Sequence, residues 1–325
     1  MRRSLALLGL PLLILAGCAT PGSGPTAPPA ATPDHRWAAF DQRAAEVADA
    51  WRPGQAWRSG YVPLEDATVL TGDPGFTGEA KLAFSNGWFR DQIPMPTATP
   101  PDGTIRFPDG TLRVPLVSAA EAYAQMDKGD PPPCDGRPAA LPPTAGTGLP
   151  KPGGPTIEPG PDGPVSSPAD TPCVQLTVTG MKMGSAPVRT SRGQAEVPAW
   201  LFTVEGMRVP VARLAVAPPA IGAVPQGMGG DRPLTGGLVT TQSLDAVDGT
   251  RLDYRVGVGA CDTGLTPLVL ERDDVVVLGA GVTPPTGPCT LQLVMKPVSV
   301  TLKAPLGDRA VLDVAGGTPL TVVRR

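Results

Sequence analysis

Side-chain catalysis needs groups that shuttle protons, attack carbon or hold a metal, and this chain is poor in the usual ones. Its 325 residues include one histidine, His35, and one asparagine, Asn86. One histidine excludes HExxH and multi-histidine zinc or iron sites. A Ser-His-Asp or Cys-His arrangement would have to use His35, which borders a Pro/Gly/Thr-rich stretch too loose to fix a base. GxSxG, SxxK, Walker A and GxGxxG spacings are absent. No catalytic residue, metal ligand or cofactor is therefore expected.

What remains is carboxylate and guanidinium chemistry. Asp245, Asp248 and Asp253 lie in DAVDGTRLD, where calcium would need carboxylates at alternate positions before the glycine. The spacing departs from that pattern and reads as a polar turn. Glu271, Asp273 and Asp274 could be compared with the carboxylate pair of sugar hydrolysis. Three acids between two apolar runs read instead as a solvated hairpin tip. Arg192 in TSRG and Arg309 in PLGDR sit in glycine-containing turns. Each could grip a carboxylate or phosphate, but a local ion pair is the expectation, with Asp308 as partner for Arg309.

The aromatic residues are uneven: ten of fourteen lie between positions 37 and 107. Such residues line ligand grooves, and they also cover sheets. Core packing is the expected use of the group as a whole. Trp57, Tyr61 and Trp88 are where a ligand or partner patch is to be sought first.

The cysteines carry a clearer message. Arg2 and Arg3 precede an apolar run, Leu5 to Leu15, that is shorter than the roughly 20 residues a bilayer span requires. It ends in Leu15-Ala16-Gly17-Cys18, the pattern of a bacterial lipobox. Residues 1–17 are expected to be a signal peptide and Cys18 to carry lipid, with palmitate among its acyl chains. Two or more chains anchor a protein stably. Loss of residues 1–17 removes two arginines and no acid, taking the formal charge from −3 to about −5. No basic field then favours nucleic acid or anionic lipid. Four cysteines remain, and in an exported chain they are expected to pair. Cys134–Cys173 and Cys261–Cys289 are the favoured pairs, because each lies within one candidate domain.

The elements follow from periodicity. Residues 18–35 read as a flexible tether. Residues 36–52 place Trp37, Phe40, Ala44, Val47 and Trp51 on one helical face. Thr77 and Ser118 are candidate N-caps of two further helices, the first ending at Asn86-Gly87 and the second carrying Glu121 at capping-box spacing. Strands with period two surround Asp109-Gly110 and occupy 174–178, 197–204, 252–258, 268–270 and 275–278. In 291–302 the apolar phase changes from odd to even, with Pro297 at the change. A β-bulge or break is predicted there. Residues 131–172 hold 14 prolines and 7 glycines and read as a long loop, tied at its ends by Cys134–Cys173. The expected organisation is a mixed α+β domain at 36–217, a linker at 218–237 and an all-β, sandwich-like domain at 238–325. The fold class is mainly β with a few short helices.

Four segments carry a resemblance to a known group. DGTLRVPLVSAAEAY, VRTSRGQAEVPAWLFTVEG, the CDTG at Cys261 and PLGDRAVLD together resemble uncharacterised secreted lipoproteins of GC-rich actinobacteria. Six lysines against 21 arginines fit such a genome. The resemblance implies an envelope location and no particular activity. The functional expectation is a lipoprotein on the outer face of the cytoplasmic membrane, non-enzymatic, that binds an envelope protein or small ligand or serves envelope structure. An envelope hydrolase using carboxylates and a small-ligand carrier are the alternatives.

Overall fold

Residues 37–131, 174–227 and 234–323 are described in the structure, a computed structural model. Cys18, the tether with His35, and the proposed Cys134–Cys173 bridge with its proline-rich loop lie outside the described residues. Among the described residues no helix is long and apolar enough to cross a membrane. The fold is mainly β, with four short α-helices among the described residues.

The first sheet is built on two long strands, β5 (Leu176–Thr190) and β6 (Gly193–Val204). They form one antiparallel hairpin whose turn, Ser191-Arg192, closes on Gly193 at φ 85°. That backbone region suits glycine. The other edge of β6 is shared between β7 (Val211–Leu214) and β3 (Gly103–Phe107). β3 turns at Asp109 into β4 (Gly110–Val114), the hairpin expected from Asp109-Gly110. β1 (Thr68–Leu70) extends the sheet beyond β7, and β2 (Phe89–Asp91) runs parallel to β5. Two helices cap as their sequences require. In α3 (Gly78–Asn86) the Thr77 hydroxyl accepts from the Ala80 amide, and Gly87 ends the helix in the left-handed region. In α4 (Ala119–Met126) the Ser118 hydroxyl accepts from the Glu121 amide.

The second half is two facing sheets. One orders β13 (Leu293–Thr301), β10 (Arg251–Gly259) and β9 (Thr241–Asp248). The other orders β11 (Thr263–Glu271), β12 (Val275–Thr283) and a parallel β14 (Ala310–Asp313), with the short β8 (Leu238–Val239) also on β12. Leu252, Tyr254, Val256 and Val258 of β10 meet Val276, Leu278 and Ala280 of β12 in one core. The Tyr254 hydroxyl crosses it to donate to the Gly279 carbonyl at 2.9 Å.

The predicted bulge at Lys296-Pro297 is not there. β13 pairs with β10 without a shift from Thr301 to Leu293, and the register shifts fall between β9 and β10 instead. The core residues are all of the even phase, Val294, Val298, Val300 and Leu302, while Leu291, Leu293 and the even-numbered Lys296 are exposed. Apolar residue type does not guarantee burial. Pro297 costs little because β13 is an edge strand.

Strand β12 is buried on both faces. The face away from the sandwich core is covered by α1 (Ala38–Ala50), whose Phe40, Ala44 and Val47 join Trp37 against Val275, Val277 and Leu312. The helix expected within residues 36–217 thus packs on the C-terminal half. Behind it, residues 61–65 sew the halves together. The Leu64 amide donates to the Arg189 carbonyl and the Ser191 amide to the Val62 carbonyl, on the first sheet. On the other side the Val322 amide donates to the Leu64 carbonyl, and the next residue along, Val323, donates to Leu244 of β9.

Cys261 and Cys289 form the expected disulfide, with Cα atoms 6.2 Å apart. It joins the β10–β11 turn to the loop before β13.

Candidate functional site

At the meeting of the halves lies a cleft of about 450 Å³, lined by ends and tips of elements rather than by their faces. The chain leaving α1 contributes Trp51 and Arg52, and the short helix α2 (Gln55–Ser59) contributes Trp57 and Arg58. The tips of two hairpins of the first sheet add Asp109, Ser191 and Arg192. From the second half come Asp274, in the β11–β12 turn, Asp308 before β14, and Ala310, its first residue.

Arg192 is the best-held side chain of this group. Its Nε and Nη2 donate to the two carboxylate oxygens of Asp109 at 3.0 and 2.7 Å, and its Nη1 donates to the Ser59 carbonyl. Its guanidinium also lies 3.9 Å from the centre of the Phe107 ring. Such two-point geometry fixes the fork and neutralises it. The local ion pair is therefore the role the structure shows, with a partner 83 residues away in sequence. Ser191 donates to the Trp57 carbonyl at 2.7 Å, which docks α2 on the hairpin. The Trp51 and Trp57 rings meet edge to face, 5.2 Å apart. Arg52 and Arg58 are exposed, as are Asp274 and Asp308.

Arg309 is also structural, but not with Asp308. It pairs with Glu271 at 3.2 Å, both side chains nearly buried, and donates to the carbonyls of Leu306, Arg272, Ala304 and Pro305. Glu271 is accordingly no solvated tip residue; its other oxygen accepts from the Lys303 amide. Arg189, 6% exposed, reaches the Gly307 and Arg309 carbonyls, and burial pulls its guanidinium down to about 10.

Two of the three DAVDGTRLD acids are similarly engaged, and Asp248 is exposed. Asp245 pairs with Arg255 at 2.9 Å, and Asp253 accepts from Arg251 on its own strand and from the Ser299 hydroxyl on the neighbouring β13. Among the described residues no cluster of three or more His, Cys, Asp or Glu side chains could hold a metal ion.

Trp57, Tyr61 and Trp88 do not share one exposed surface. Trp57, 6% exposed, belongs to the core beneath α1. Tyr61, 1% exposed, belongs to the first-sheet core, which Trp88 partly covers. The Tyr61 hydroxyl has no hydrogen-bond partner, and its burial, then Glu65, raises its ionisation well above the ordinary range. Only Trp57 of the three lines the cleft. Trp51, Arg58, Asp109 and Asp308 join it unforeseen, and so does Asp274 alone of the three acids Glu271, Asp273 and Asp274. Their common signal is a position at a helix end or turn, but which turns converge is a tertiary fact.

No protein-family model, no curated protein and no solved structure matches this chain.

Proposed function

We propose that this chain is an extracytoplasmic lipoprotein, anchored through lipid on Cys18, whose body binds rather than catalyses. The observation that carries the reading is Leu15-Ala16-Gly17-Cys18 after an apolar run, followed by a tether-like composition. The Cys261–Cys289 bond supports export, because disulfides persist in oxidising compartments. The resemblance to actinobacterial lipoproteins agrees with this reading and supports the outer face of the cytoplasmic membrane as the proposed location. The body presents a cleft of about 450 Å³, within the usual ligand-site range. Of the three acids a hydrolase reading would draw on, Glu271 is bound to Arg309 and a backbone amide.

The test is mass spectrometry of the N-terminal peptide together with membrane fractionation and cross-linking in intact cells. The wild type should carry an acylated, diacylglyceryl-modified Cys18, sediment with membranes, and lose both properties in Cys18→Ala. An unmodified Cys18, or an uncleaved leader in the mature protein, overturns the anchor.

A further inference from the structure

We propose that the cleft between the two halves is a binding site for a short neutral oligosaccharide. The proposal rests on reading the body as a binding module and is independent of the anchor. A sugar ring has an apolar C–H face and a rim of hydroxyls that both donate and accept. The cleft offers a match to each. Trp51 and Pro53, both half-buried, supply apolar and aromatic wall, with the Trp51 ring held edge to face by the buried Trp57 behind it. Arg58 and Arg52 supply planar forks of donors, and Asp274 and Asp308 supply two-oxygen acceptors. Vicinal hydroxyls suit such two-point partners.

The charge arrangement selects among ligand classes. Arg192 is neutralised by Asp109, so it adds no free cation. The two exposed arginines are then balanced by two exposed aspartates. A phosphate or carboxylate ligand would meet Asp274 and Asp308, and a cationic ligand would meet Arg52 and Arg58. A neutral polar ligand suffers neither repulsion. The walls are held before any ligand arrives, since residues 61–65 hydrogen-bond to both halves and Arg189 bridges to Gly307 and Arg309. Pre-organisation of this kind reduces the ordering cost of binding.

The experiment is titration of the full-length, detergent-purified chain with maltotriose, cellotriose, mannotriose and galactotriose. Calorimetry and tryptophan emission report binding, with inorganic phosphate and trigalacturonate as charged probes. At least one neutral trisaccharide should bind saturably and shift tryptophan emission. Arg58→Ala and Asp274→Ala, both at exposed positions, should each weaken it about tenfold or more, with unchanged Tm. Absence of saturable binding to every neutral trisaccharide at millimolar concentration overturns the proposal. So does binding that neither variant weakens. Preferential binding of phosphate or trigalacturonate, tightened by Asp274→Ala, also overturns it and makes the cleft an anion site. None of these outcomes bears on Cys18, which the N-terminal mass reads separately.

Discussion

Arg309 donates to four backbone carbonyls and to Glu271 from a side chain only 10% exposed. A lysine there would keep the charge but lose the planar fork that reaches several acceptors at once. Arg309→Lys should cost about 2 kcal/mol of stability. Arg309→Ala should cost about 3–5 kcal/mol, because it leaves Glu271 desolvated without its cation. Urea unfolding measures both, and equal stability of Arg309→Lys and wild type would show that the fork does not hold this loop. Asp313 is the acidic counterpart. It is 6% exposed, and its oxygens accept from the Thr240 hydroxyl and from the amides of Thr241, Ala315 and Gly316. Burial raises its carboxyl above the usual range against the pull of those four donors. Asp313→Asn places an amide NH2 against donors whichever way it turns. The expected loss is about 1–3 kcal/mol, and unfolding of the variant beside Asp313→Ala tells donor clash from simple deletion.

The contact between α1 and β12 depends on what is missing from the strand. A Cβ on Gly281 would lie 2.1 Å from the Trp37 ring, and one on Gly279 would lie 2.7 Å from Val314. Gly281→Ala should therefore destabilise by about 1–3 kcal/mol through overpacking. Trp37→Ala in the same background should recover part of that loss, a coupling a double-mutant cycle reads directly; strict additivity would mean that ring and glycine do not touch. At this scale some of the fold was legible and some was not. The caps at Thr77 and Ser118 and the hairpin at Asp109-Gly110 were readable because their causes lie within a few residues. The stripe on α1 showed that the helix had an apolar face, but not which sheet would receive it. Burial of β12 on both faces accords with the unbroken apolar run Val275–Leu278, although a period-two reading predicts only one buried face. The phase change near Pro297 misled because Leu291 and Leu293 are apolar by type and exposed in fact. The cleft was least legible: Trp57 and Arg192 stood out singly, whereas their neighbours Asp109, Asp274 and Asp308 come from turns remote in sequence.

At the scale of the whole molecule, the proline- and glycine-rich stretch after residue 217 looks like a place to cut the chain, yet the core does not divide there. Trp37, Phe40, Val47, Trp57, Val62 and Leu64 share one cluster with Val275, Val277, Ala310 and Leu312. A fragment of residues 238–325 would keep its sandwich core and the Cys261–Cys289 bond. It would expose the other face of β12 and β14 and leave Val322 without the Leu64 carbonyl. The disulfide closes a span of 28 residues and contributes about 3–4 kcal/mol in the chain-entropy model, but that restraint acts on the unfolded chain and covers no apolar surface. An uncovered sheet face of this kind drives association. The fragment should therefore aggregate or bind a hydrophobic dye, whereas residues 36–325 should unfold in one calorimetric transition with equal van't Hoff and calorimetric enthalpies. Two resolved transitions in the longer chain, together with a monomeric, cooperatively folding fragment, would show that residues 37–64 ornament the second half rather than complete it. The cleft between the halves would then lose the rigid frame on which its proposed ligand depends.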